Sequence, residues 1–144
     1  MKFSMMAGLL ALGLTLAGLP AQAHDRGHIR YRHLPTVSKL PAGVIQISPV
    51  VPGMGAHYAR PQDLPLGPIY CVYKGRIVCL EFMISQKDFK AGKSWPDLHA
   101  DMKGLPPVDH VNIGFQPHGH EGFEVPHYDI HMYFLPPKVI ARIK

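Results

Sequence analysis

The sequence predicts a mainly β protein, α+β at most: a small antiparallel sheet, sandwich or barrel with one short helix near residues 86–91. Two observations carry this. The 15 prolines and 14 glycines cut the chain at intervals too short for long helices. Between the breaks lie short runs rich in Val, Ile, Tyr and Phe that alternate in polarity or stay apolar, as strands do.

The elements follow in order. Residues 44–48 and 68–73 form strands, 76–84 a long central one, and 109–116 and 126–135 complete five. The helix over 86–91 has Ser85 as N-cap, Asp88 three residues later and Gly92 to end it. Between the second and third strands, Lys74-Gly75 sets what Cys71 and Cys79 can do. A two-residue turn places Cys71 opposite Val78, with the thiols on opposite faces; a three-residue loop places it opposite Cys79, at disulfide distance. Both registers stay open.

The 144 residues suffice for one domain and exclude a multidomain enzyme, and 47% hydrophobic content with a net charge of only +5 excludes wholesale disorder. Residues 1–23 have the parts of a cleavable secretory signal: Lys2, an apolar run over 5–19, Pro20, and the small-x-small site Ala21-Gln22-Ala23. That run falls short of the ~20 residues of a membrane-spanning helix, so the expectation is a periplasmic or secreted protein with no transmembrane anchor after cleavage. Residues 24–43 begin with a basic stretch lacking apolar periodicity and are expected to be a flexible arm; 44–144 make the single β-rich domain. The basic residues form no stripe with interleaved aromatics, which argues against nucleic acid. Ser38, Ser48, Ser85 and Ser94 lie in no nucleophile-elbow context, which argues against a Ser-His-Asp hydrolase.

Histidine is the unusual component: 10 His equal the 10 Asp+Glu. His110, His118, His120, His127 and His131 crowd the C-terminal part of the chain. His118-Gly-His120-Glu121 falls on a Gly/Pro loop, whereas His127, Asp129 and His131 alternate with Tyr128, Ile130 and Met132 along a strand. Same-face neighbours on a strand are about 6.7 Å apart and i, i+4 positions about 13 Å, so His127 and His131 cannot both bind one ion on a straight strand at metal–nitrogen distances of about 2.0–2.1 Å. Either with Asp129, or with His118 or His120, can; Asp129 can alternatively orient a neighbouring imidazole. Glu81 is the one carboxylate on an otherwise apolar strand, which requires a water-facing position, a partner, or a polar cavity.

The pieces Gly53-Met54-Gly55-Ala56-His57-Tyr58, Leu66-Gly67-Pro68-Ile69-Tyr70, Glu81-Phe82-Met83-Ile84, Pro117-His118-Gly119-His120-Glu121 and Pro126-His127-Tyr128-Asp129-Ile130-His131 resemble an uncharacterised family of exported bacterial proteins, a domain of unknown function named after a thermophile hypothetical protein. The likeness covers roughly residues 44–135. It implies export, a β-rich domain and a shared His-rich motif, adds His57 to the candidates, and implies no substrate. Two functions follow as expectations. In one, three or four of His57, Glu81, His118, His120, His127, Asp129 and His131 bind a divalent transition ion, zinc or copper, for storage, sensing or metal-dependent catalysis with Glu121 or Glu124 as general base. In the other, the His-rich network is structural and the protein is an envelope interaction or assembly module, meeting a partner or copies of itself.

Overall fold

A computed structural model of the chain describes residues 30–144. The signal segment 1–23 and the first part of the basic arm lie outside the described residues. Six antiparallel strands form one open sheet in the order β1-β2-β3-β4-β6-β5, with β1 and β5 at its edges. They are β1 Ile45–Val51, β2 Gly55–Ala59, β3 Ile69–Tyr73, β4 Arg76–Ser85, β5 His110–Gln116 and β6 His127–Tyr133. Two short helices, α1 Gln86–Lys90 and α2 Pro137–Ile140, complete the elements beside three single 3-10 turns. Ser85 caps α1 as its hydroxyl accepts from the Asp88 backbone N–H.

Strand β2 has no counterpart in the sequence expectation. Its five residues lie between the breakers Gly53 and Pro61, too short a run to show alternation, and only its pairing with β1 and β3 defines it. Before β1, residues from Arg30 onward lie against the sheet: Leu34 is fully buried, Thr36 bridges to Arg76, and the Ile77 N–H donates to the Pro35 carbonyl. Apolar Leu34 and the half-buried Tyr31, Val37 and Leu40 supply the contacts that hold this segment.

The β3–β4 hairpin contains features of both registers that its sequence leaves open. Tyr73 faces Arg76 across the two-residue Lys74-Gly75 turn, both turn residues having positive φ (43° and 73°), and Val72 faces Ile77. Beyond them Val78 is an extra residue in β4, so Cys71 comes to face Cys79. The two are joined by a disulfide at a Cα–Cα distance of 4.9 Å. The bulge shifts the register by one residue and reconciles a tight turn with a cross-strand bond.

Register then sets which side chains share a face. Glu81 faces His131, Met83 faces Asp129 and Ser85 faces His127; across β6, Asn112, Gly114 and Gln116 of β5 face His131, Asp129 and His127. On the other side Cys71 lies between His57 of β2 and Cys79 of β4. Because strand side chains alternate, His57, Glu81, Asp129, His131 and His127 all stand on one face. The larger hydrophobic core, including Tyr70, Val72, Val78, Leu80 and Phe82, is joined by Phe134, Leu135, Ile140 and Ile143 from the C-terminal segment. A smaller cluster of Ala59, Ile69 and Met83, with Leu64 and Phe123 against it, lies on the histidine face.

Candidate metal centre

The loop from β5 to β6 is shaped to present His120. The backbone N–H groups of His120 and Phe123 each donate to the other's carbonyl (3.2 and 2.9 Å), closing a tight turn over Glu121-Gly122. Gly119, at φ 69°, lets this turn lie against the returning chain: a Cβ there would sit 2.5 Å from the Phe123 carbonyl oxygen. The Gly-His-Glu-Gly stretch is therefore a clamp that holds one imidazole over the start of β6.

That imidazole meets His127 and Asp129. The Nε2 atoms of His120 and His127 are 3.1 Å apart, and Asp129 Oδ1 lies 3.0 Å from His127 Nε2 and 3.7 Å from His120 Nε2. The other ring nitrogens are committed. His127 Nδ1–H donates to the Val125 carbonyl at 2.6 Å, and His120 Nδ1–H to the Glu121 carbonyl at 3.0 Å. A carbonyl only accepts, so both neutral rings have their proton on Nδ1 and a lone pair on Nε2. Asp129 is held from its far side, Gln116 Nε2 donating to Oδ2 at 2.8 Å, whereas Oδ1 is buried with no hydrogen-bond donor. Three lone-pair atoms thus converge with no hydrogen among them, a costly arrangement that an added cation relieves.

The triangle has the size of a coordination face. An atom about 2.0–2.1 Å from all three donors lies about 0.7 Å out of their plane, the offset of a tetrahedral ion from the face its three ligands define. His127 is fully buried and Asp129 nearly so, while the His120 side chain is 41% exposed, so the approach is from the His120 side. Phe123 packs on the His127 ring at 4.5 Å and shields it.

A second group lies further along the same face. Glu81 has His57 Nε2 3.4 Å from Oε2 and His131 Nε2 3.4 Å from Oε1, and among the described residues no arginine forms an ion pair with it. Burial pushes the Glu81 carboxyl up to about 8, with the Asp129 charge adding to the effect. Burial also drives His131 down to about 4 and lowers His57, the latter helped by repulsion from His120. The Ser48 hydroxyl orients His57: it donates to the Pro49 carbonyl, accepts from the His57 backbone N–H, and lies 2.9 Å from Nδ1. Tyr133, whose hydroxyl donates to the Gly53 carbonyl, stacks on His131 with ring centres 5.5 Å apart.

The structure therefore divides the sequence candidates. His120, His127 and Asp129 form one group; His57, Glu81 and His131 form another. Asp129 and His127 are neighbours on one strand face, whereas His127 and His131, four residues apart, belong to different groups. His118 is exposed and belongs to neither, and the side chains of Glu121 and Glu124 are exposed as well. Glu121 contributes its backbone carbonyl to the site. Cys71 Sγ lies within 4.8 Å of ligand atoms of His57 and His131, but the disulfide removes it as a thiolate. Sequence reasoning missed Ser48, Gln116 and Phe123; strand pairing and loop closure bring them to the site, and no local signal marks them.

No known family model matches the chain, and no curated protein is similar to it. Among solved structures, the hypothetical protein TTHB210 from Thermus thermophilus has the same fold with a TM-score of 0.58 and 25% sequence identity, over 72% of this chain and 95% of that one. The chain is thus structurally similar to a protein of unknown function from a thermophile.

Proposed function

We propose that this chain is an exported protein that binds a divalent transition ion through His120 Nε2, His127 Nε2 and Asp129 Oδ1. The supporting observation is the convergence of three lone-pair donors at 3.0–3.7 Å, both imidazoles having their protons committed to backbone carbonyls. Two imidazoles and a carboxylate suit zinc, with copper(II) as competitor. The Gln116 amide and the Val125 and Glu121 carbonyls act as the outer partners that orient ligands around such ions. The fourth position faces the exposed side of His120, open to water or to a small ligand. Export rests on the signal-like residues 1–23, and the mature chain would begin at His24.

Titration of the demetallated full chain with zinc tests this. Loss of one bound equivalent in His127→Ala, with none lost in His118→Ala, is the expected result; a zinc isotherm unchanged by His127→Ala rejects the ligand set. N-terminal sequencing of protein from the periplasm should begin at His24, and an intact Met1 would reject export with cleavage.

A second reading, self-association, is favoured by one observation. Edge strand β5 exposes Val111, Ile113 and Phe115 on the face opposite the histidines, with Phe89 of α1 near them against Tyr128. If this row joins copies of the chain, Ile113→Lys lowers the hydrodynamic mass. A wild-type monomer sinks that reading.

A further inference from the structure

We propose that His57, Glu81 and His131 form a second divalent-cation site, one strand step from the first on the same sheet face, so that the domain holds a two-ion centre. The inference goes beyond the single site of the preceding reading and rests on separate residues. Three observations carry it.

The distances are wrong for direct hydrogen bonds and right for ligands sharing an ion. Each imidazole Nε2 is 3.4 Å from a different oxygen of the same Glu81 carboxyl. A hydrogen bond between such groups is about 2.7–3.2 Å long, whereas two ligands on one tetrahedral ion with bonds of about 2.0–2.1 Å are about 3.3–3.4 Å apart. One ring nitrogen of His57 and one of His131 also lie within 4.8 Å of each other. An ion between the Glu81 carboxyl and the two imidazoles fits the nitrogen–oxygen spacing.

The group is also unsatisfied without one. His131 Nε2 is buried with no hydrogen-bond partner, in a residue only 3% exposed, and it lies 3.4 Å from a carboxyl that is equally buried. With lone pairs on both Nε2 atoms, a neutral carboxylic acid, which has one proton, can serve only one of the two imidazoles. A divalent ion satisfies both. Finally, the tautomer of His57 is set for coordination. The Ser48 hydroxyl gives its only proton to the Pro49 carbonyl, so it accepts from His57 Nδ1–H and leaves a lone pair on Nε2, 3.4 Å from Glu81 Oε2.

The elements that build this group differ from those of the first. His57 comes from β2, Glu81 from β4 and His131 from β6, so it forms only when three strands are in register over the Cys71–Cys79 disulfide. The His120 group draws on one strand and its preceding loop. The deeper group is therefore the more enclosed of the two.

Zinc titration of the demetallated full chain, followed by calorimetry and by metal analysis after gel filtration, tests the proposal. The expected result is two equivalents for the wild type, one for His131→Ala, one for His127→Ala and none for the double variant. His57→Ala, at a half-buried position on β2, serves as a second removal should His131→Ala fold poorly, and circular dichroism checks each variant. One equivalent in the wild type, lost with His127→Ala and kept in His57→Ala and His131→Ala, overturns the second site and leaves the first. One equivalent lost only with His57→Ala or His131→Ala overturns the first and keeps the second. No bound zinc in the wild type overturns both.

Discussion

Asp129→Asn distinguishes a metal site from a structural polar network. The substitution keeps shape and the contact with Gln116, whose Nε2 can donate to the asparagine oxygen as it does to Asp129 Oδ2 at 2.8 Å. The amide nitrogen then occupies the place of Oδ1, 3.0 Å from His127 Nε2 and 3.7 Å from His120 Nε2. In the metal-free protein this converts a buried acceptor facing two other acceptors into a donor facing a lone pair. Removing one such conflict is worth about 1–3 kcal/mol. At roughly 4 °C per kcal/mol for a domain of this size, the metal-free variant should melt about 4–12 °C higher than the wild type. Saturating zinc acts in the opposite order: at 100 times the Kd of this triangle it adds about 2.7 kcal/mol to the wild type, a share of the zinc stabilisation that the variant should lack. Differential scanning fluorimetry of the full chain, with chelator and with zinc, measures both. If the metal-free variant melts lower than the wild type, a proton shared between an imidazolium and Asp129 holds the group together, and three bare lone pairs do not converge there.

Other outcomes follow from the same structure. In metal-free protein, Glu81 with its folded value raised to about 8 contributes stability fully present below the unfolded value near 4.5 and lost as pH rises toward 8. His131, lowered to about 4, contributes stability present above 6.5 and lost as pH falls toward 4. Denaturant melts across pH should therefore peak between about 4.5 and 6.5 and decline on both sides, and Glu81→Gln should flatten the alkaline limb; an alkaline limb unchanged in that variant rejects the assignment. Gly119→Ala places a Cβ 2.5 Å from the Phe123 carbonyl at a positive φ, so the clamp must open: zinc affinity should fall at least tenfold with a melting change of only a few degrees, and unaltered affinity would show that the loop position does not matter. The Cys71–Cys79 bond closes a short loop with a sequence separation of 8, worth about 2–3 kcal/mol in the chain-entropy account, so Cys71→Ala with Cys79→Ala should lower the melting temperature by about 10 °C; calorimetry showing no loss would contradict it.

How much of this was legible beforehand differs by element. Helix α1, its Ser85 cap and the alternation of β6 are local properties, and they appear in the structure at the residues where sequence reasoning puts them. Strand β2 is too short to announce itself, so His57 entered only through a family resemblance. The division of the histidines into two groups depends on which residue of β4 faces which residue of β6, a long-range register with no local signature. Spacing alone separates His127 from His131, since a regular strand holds them too far apart for one ion. The hairpin shows the limit of local rules. Lys74-Gly75 forms the tight turn that its residue types specify, yet the Val78 bulge moves Cys79 opposite Cys71. Gln116 and Ser48 are ordinary polar residues in sequence, and only pairing makes them partners of Asp129 and His57.

The central claim is that three named atoms share one ion. Crystals of the full chain grown with stoichiometric zinc and measured on both sides of the zinc absorption edge test it most directly. The expected result is an anomalous peak about 2.0–2.1 Å from His120 Nε2, His127 Nε2 and Asp129 Oδ1, with water at the fourth position. The contradicting result is no peak at that triangle, with its atoms bridged by water or drawn apart.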